Sequence, residues 1–122
     1  MSLVRRIYVE KKEMYAVAGK ALLGEIRHYL GIREAGRVRI LARYDIEGVS
    51  EEVYEAAKHT VFAEPPVDLL YESFEELGLS DSDRVFSVAY LPGQYDQRAD
   101  SAEQCLKLLK EDAAPLIRSA TT

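Results

Sequence analysis

Eight consecutive residues, Gln94-Tyr95-Asp96-Gln97-Arg98-Ala99-Asp100-Ser101, bring together a phenol, two carboxamides, two carboxylates, a guanidinium and a hydroxyl. They follow Leu91-Pro92-Gly93, where a strand must end, and precede Ser101-Ala-Glu-Gln104, which fits a helix capping box. Backbone donors and the helix dipole at such a position attract anions. Arg98 could grip a carboxylate or phosphate bidentately. Asp96 and Asp100 compete for the same guanidinium, so a self-paired connector is the plain alternative. Polar loops of this density bury little, and they tend to persist for contact with something else.

A second set is Arg37, Arg39 and Arg43, which alternate along one face of a strand as a row of guanidinium forks. They suit an anion, an acidic neighbouring domain, or a solvated sheet face guarded by charge. Metal spacing is absent from the sequence, since His28, His59 and Cys105 lie far apart on different elements. Cys105 stands near Asp100 and Glu103 rather than near a cation or His, which argues against a nucleophile and for a small packed side chain. The seven glycines are scattered and form no phosphate loop.

The bulk numbers bound what these residues can serve. A chain of 122 residues with 48% apolar and 30% charged residues makes one soluble globular domain. The opening Met1-Ser2-Leu3 reads as an expression remnant. A single cysteine allows no internal disulfide and fits a reducing cytoplasm. The net charge of −5 conceals a split: residues 1–48 hold ten Lys/Arg against six Asp/Glu, and residues 49–122 hold six against fifteen. That balance speaks against a nucleic-acid footprint, and no apolar run approaches the length of a membrane span.

Several elements position the polar segment. Residues 4–12 alternate as a strand. Tyr15, Ala18, Leu22, Ile26 and Tyr29 recur at helical spacing, with Ala21 and Leu30 widening the stripe and Gly31 as C-terminal cap. Residues 37–46 form the cleanest strand, with Val38, Ile40, Ala42, Tyr44 and Ile46 facing the core. Ser50 caps a second helix with Val53, Ala56, Ala57, Thr60 and Val61 on its inner face, and Pro65-Pro66 stops it. Val67, Leu69 and Tyr71 make a third strand. Residues 84–91 make a fourth, with Phe86, Val88 and Tyr90 on one face. A third helix follows from Ser101, and Leu116-Ile117 opens another strand.

The order suggests a repeat: both Ile7-Tyr-Val-Glu-Lys-Lys-Glu-Met-Tyr15 and Phe86-Ser-Val-Ala-Tyr-Leu-Pro-Gly-Gln-Tyr95 lead a strand into a Tyr-bearing loop before a helix. The expected fold is α+β, built of duplicated β-α-β units as a ferredoxin-like sheet with helices on one face. Residues 4–74 form the first complete unit, 75–83 a connector, and 84–122 a truncated second unit that a second copy would complete by dimerisation or swapping.

The run Tyr90-Leu-Pro-Gly-Gln-Tyr-Asp-Gln-Arg-Ala-Asp-Ser-Ala-Glu-Gln-Cys105 resembles the N-terminal region of large phosphoribosylformylglycinamidine synthase, the glutamine-dependent amidotransferase of purine synthesis. Arg5-Arg-Ile-Tyr-Val-Glu-Lys-Lys12, Ala42-Arg-Tyr-Asp-Ile-Glu-Gly48 and Thr60-Val-Phe-Ala-Glu-Pro65 are similar to the same family. The resemblance implies a fused dimer of a small accessory subunit that makes no bonds itself. Its implied task is to bridge the synthetase and glutaminase domains of the same polypeptide while ammonia passes between them, with 94–101 facing the catalytic body. The parent would be a cytoplasmic C–N ligase using ATP, magnesium and glutamine; this fragment would hold no cofactor. Two other readings stay open. One is a free-standing dimeric ferredoxin-like module sensing a small anion. The other is a single-stranded RNA binder, which the opposite facing of Tyr44 and the arginines disfavours.

Overall fold

The structure, a computed structural model, describes residues 4–31, 36–81, 83–109 and 115–122. Met1-Ser2-Leu3 lies outside the described residues.

Strand β1 (Arg5–Lys11) is buried on both faces, each covered by its own cluster: Ile7 and Val9 point to one face, Tyr8 and Glu10 to the other. It pairs antiparallel with β2 (Leu41–Glu47), Ile7 opposite Tyr44, and with β3 (Asp68–Tyr71), Val9 opposite Leu70. β2 pairs antiparallel with β5 (Leu116–Thr121), Tyr44 opposite Ser119, and β5 pairs with the short β4 (Val88–Ala89). The sheet order is β3-β1-β2-β5-β4. This is an α+β fold with an antiparallel sheet in a ferredoxin-like arrangement. β1 and β2 are joined through helix α1 (Val17–His28), and β4 and β5 through helix α3 (Gln97–Leu109), so each half runs strand, helix, antiparallel neighbour.

The main core lies on the face of Ile7, Val9, Tyr44, Ile46 and Ile117. Helix α2 (Glu51–Ala57), the π-turn Lys58–Phe62 and α3 cover it with Val53, Tyr54, Ala57, Phe62, Ala99, Ala102 and Leu106. Ser50 caps α2 as the sequence suggests, its Oγ accepting from Val53 N at 3.3 Å. The π-turn shifts the helical phase by about one residue. Phe62 therefore points inward, edge-on to Tyr44 at 5.0 Å, while Thr60 and Ala56, expected inside, are exposed. Tyr54 is completely buried with the Arg5 guanidinium 3.9 Å above its ring, and Arg5 also bonds Glu51. Burial pushes the Tyr54 hydroxyl up to about 12. A smaller core of Tyr8, Leu41 and Leu77 sits on the opposite face.

Other expectations are corrected. The strand ascribed to 37–46 starts only at Leu41, and 36–40 run into it without regular pairing. In β3 Asp68 is buried and Leu69 exposed; Asp68 Oδ2 accepts from Glu64 N at 2.9 Å and its other oxygen meets Lys11 Nζ. The 84–91 strand shrinks to two residues, leaving Phe86, Val88 and Tyr90 exposed. Leu116-Ile117 does open a strand, β5, which sits between β2 and β4. Cys105, expected to pack, is exposed.

α2 and α3 share one sheet face, while within α1 only Gly19 is buried. The supposed inner residues Tyr15, Ala18, Leu22, Tyr29 and Leu30 are exposed. α1 touches 36–40 through Gly19, where an added Cβ would stand 2.9 Å from the Val38 carbonyl oxygen. Gly24, one and a half turns on, has nothing within 4 Å of such a Cβ. The two substitutions should therefore part company. Gly24→Ala raises stability by about 0.5–1 kcal/mol through helix propensity. Gly19→Ala loses that gain to the clash and lowers stability by about 1 kcal/mol. Denaturant titration followed by circular dichroism reads both.

Candidate functional site

The segment 94–101 is built from a turn, a cap and a tether. Leu91-Pro92-Gly93-Gln94 closes a tight turn, Gln94 N donating to Leu91 O at 3.0 Å with Gly93 at φ 88°, the left-handed value that a type II turn requires at its third residue. Gln94 Oε1 turns back to accept from Leu91 N at 2.6 Å. α3 starts at Gln97, four residues before the expected Ser101, since Asp96 takes the cap: its Oδ1 accepts from Ala99 N at 3.0 Å. The same carboxylate reaches across to β5, accepting Ser119 Oγ at 2.6 Å and Ser119 N at 2.7 Å. Burial pushes the Asp96 carboxyl up, but the hydrogen bonds from Ser119 and Ala99 outweigh it and hold the group below its ordinary range. Asp100 accepts from Tyr95 Oη at 2.8 Å and from Gln104 Nε2 at 3.0 Å.

Gln94, Asp96 and Asp100 are thereby committed to holding the segment's shape. What remains turned outward is Gln97, Arg98 and Ser101, which with Tyr90 line a cleft of about 360 Å³. Among the described residues Arg98 makes no ion pair; Asp96 and Asp100 do not capture it. Tyr90 on its lining is exposed, as are Phe86 (76% accessible), Val88, Leu91 and Tyr95 in the same stretch of chain.

The three arginines do not act as one row. Arg39 is spent inside the protein: its Nε and Nη2 donate to the two Glu10 oxygens at 2.8 and 2.7 Å, and its Nη1 donates to Leu77 O at 2.7 Å. Tyr71 Oη adds a bond to Glu10 Oε1 at 3.0 Å. Burial raises the Glu10 carboxyl, yet the bonds from Arg39 and Tyr71 leave it lower than usual. Arg43 stands 3.6 Å from Asp45, which Arg6 already holds at 2.6 Å, and its buried Nε lacks a partner. Arg37 alone is open to solvent, on a larger cleft of about 1050 Å³ between α1, residues 36–40 and the end of the sheet.

Sequence reasoning missed Glu10, Tyr71 and Ser119. Glu10 gave a usable signal, being a carboxylate at an inward strand position that must find a cation. Ser119 gave none. Among the described residues no cluster of three or more His, Cys, Asp or Glu could hold a metal ion, and no helix is long and apolar enough to cross a membrane. Comparison of the chain with protein-family models, with curated proteins and with solved structures gives no match.

Proposed function

We propose that this chain is a docking domain that makes no bonds itself, the N-terminal scaffold of a glutamine- and ATP-dependent phosphoribosylformylglycinamidine synthase, bridging synthetase and glutaminase domains during ammonia transfer. The observation that carries the docking role is the exposure of Phe86, Val88, Tyr90, Leu91 and Tyr95 in one stretch of chain whose Tyr90 shares a cleft with the outward polar Gln97, Arg98 and Ser101. Exposed apolar side chains rimmed by polar ones mark protein interaction surfaces. The Asp96–Ser119 tether fixes the segment before any partner arrives, which lowers the ordering cost of association. The particular synthase rests on the resemblance carried by residues 90–105, and the strand-helix-strand plan of both halves is consistent with a duplicated accessory subunit.

Arg98→Glu and Tyr95→Ala in the parent polypeptide test this reading. Glutamate release should outrun amidine formation severalfold in each, because ammonia escapes when the bridging surface is loosened. Unchanged coupling in both variants refutes it. A second reading, the free-standing dimeric module sensing a small anion, draws on the larger cleft and its open Arg37.

A further inference from the structure

The cleft between α1 and the end of the sheet is positively charged in an acidic protein. Five cationic side chains line it against three carboxylates, whereas the whole chain carries −5. Two of the acids are already neutralised, Asp68 by Lys11 at 2.9 Å and Glu10 by Arg39. Lys20 donates to the Glu13 carbonyl at 3.0 Å, a contact that leaves its charge uncompensated. Arg37 and Arg98 make no ion pair among the described residues. Three cations thus stand on three different walls: α1, the 36–40 arm and the first turn of α3.

The arm decides what kind of anion fits. Residues 36–40 continue β2 beyond the point where β1 stops pairing with it, and all five line the cleft. Among the described residues their peptide groups make no backbone hydrogen bonds, pairing resuming only at Leu41 with Thr122. Gly19 lets α1 press against one side of the arm. Arg98 and Thr121 border both this cleft and the smaller one, so the groove runs on toward β4. Unpaired main-chain donors and acceptors flanked by separated cations suit an extended chain that pairs by its backbone and places carboxylates at intervals. A compact anion would use one cation and leave the peptide groups unmet.

We propose that this cleft binds an acidic polypeptide segment in extended form, laid along 36–40, with carboxylates meeting Lys20, Arg37 and Arg98. The inference goes beyond the synthase reading and stands without it. The test is a titration of the ¹⁵N-labelled full chain with a short synthetic peptide alternating glutamate and leucine, at low salt. Saturable shifts should centre on the amides of Val38, Arg39 and Ile40, and exchange of those amides with solvent should slow. Arg37→Glu, an exposed change that leaves the core intact, should weaken binding about tenfold. Alternate N-methylation of the peptide, which removes its backbone donors, should weaken it as much. The proposal is overturned if no saturable shift occurs, if the lysine version of the peptide binds equally, if N-methylation has no effect, or if free glutamate or inorganic phosphate at matched charge reproduces the shifts, which would assign a small-anion site.

Discussion

Asp96→Ala lowers the stability of the chain by about 3 kcal/mol, a fall of roughly 10 °C in melting temperature for a domain of this size. Two losses add. The α3 cap vanishes, worth about 1 kcal/mol. Ser119, buried beside β2, is left with an amide and a hydroxyl whose shared acceptor is gone, at about 1–3 kcal/mol for unsatisfied buried donors. Asp96→Asn keeps the cap but turns a donor toward Ser119 unless its amide flips, and falls between. Asp100→Ala, which breaks only exposed bonds to Tyr95 and Gln104, stays within about 0.5–1 kcal/mol of the parent. Equal losses from Asp96→Ala and Asp100→Ala would remove the cap-and-tether from the account.

Arg39→Met is the second large effect, about 3 kcal/mol. It strands the Glu10 carboxylate, whose side chain is only 10% accessible, with Tyr71 as its one remaining partner. Adding Glu10→Leu to Arg39→Met should restore most of the loss, since removing both members of a buried pair is far cheaper than removing one. The pH signature separates the cases. In the parent, Glu10 and Asp96 titrate lower folded than unfolded, so their stabilisation is whole above the ordinary carboxyl range of about 4 and drains as pH falls through the depressed folded values. In Arg39→Met, desolvation of Glu10 is opposed only by the Tyr71 hydrogen bond and the more weakly acting Arg37 charge, and its folded value rises. That variant therefore gains stability relative to the parent between pH 7 and pH 5. Urea titrations at the two pH values read the sign.

Periodicity of two made β2 legible: Ala42, Tyr44 and Ile46 face the main core and Leu41, Arg43 and Asp45 the other side. Local capping chemistry gave the Ser50 start of α2. Elsewhere local signals were ambiguous. Asp96 and Ser101 are both good caps, and the choice between them is made by Ser119, twenty-three residues downstream. A π-turn hides in no pattern, so Phe62 was missed and Thr60 misplaced. The apolar stripe of α1 reports that a face is apolar, but it does not say what will cover it. In the candidate site, Arg98 was legible as an exposed guanidinium at a helix start. Arg39 was not separable from Arg37 and Arg43, because its fate depends on Glu10, a partner across the sheet.

Amide hydrogen exchange, recorded for this chain alone and joined to the proposed synthetase and glutaminase domains, bears most directly on the proposed docking role. Residues 86–101 should gain protection on assembly while the amides of α2 keep their rates. Identical exchange across 86–101 in both states would contradict a docking surface there.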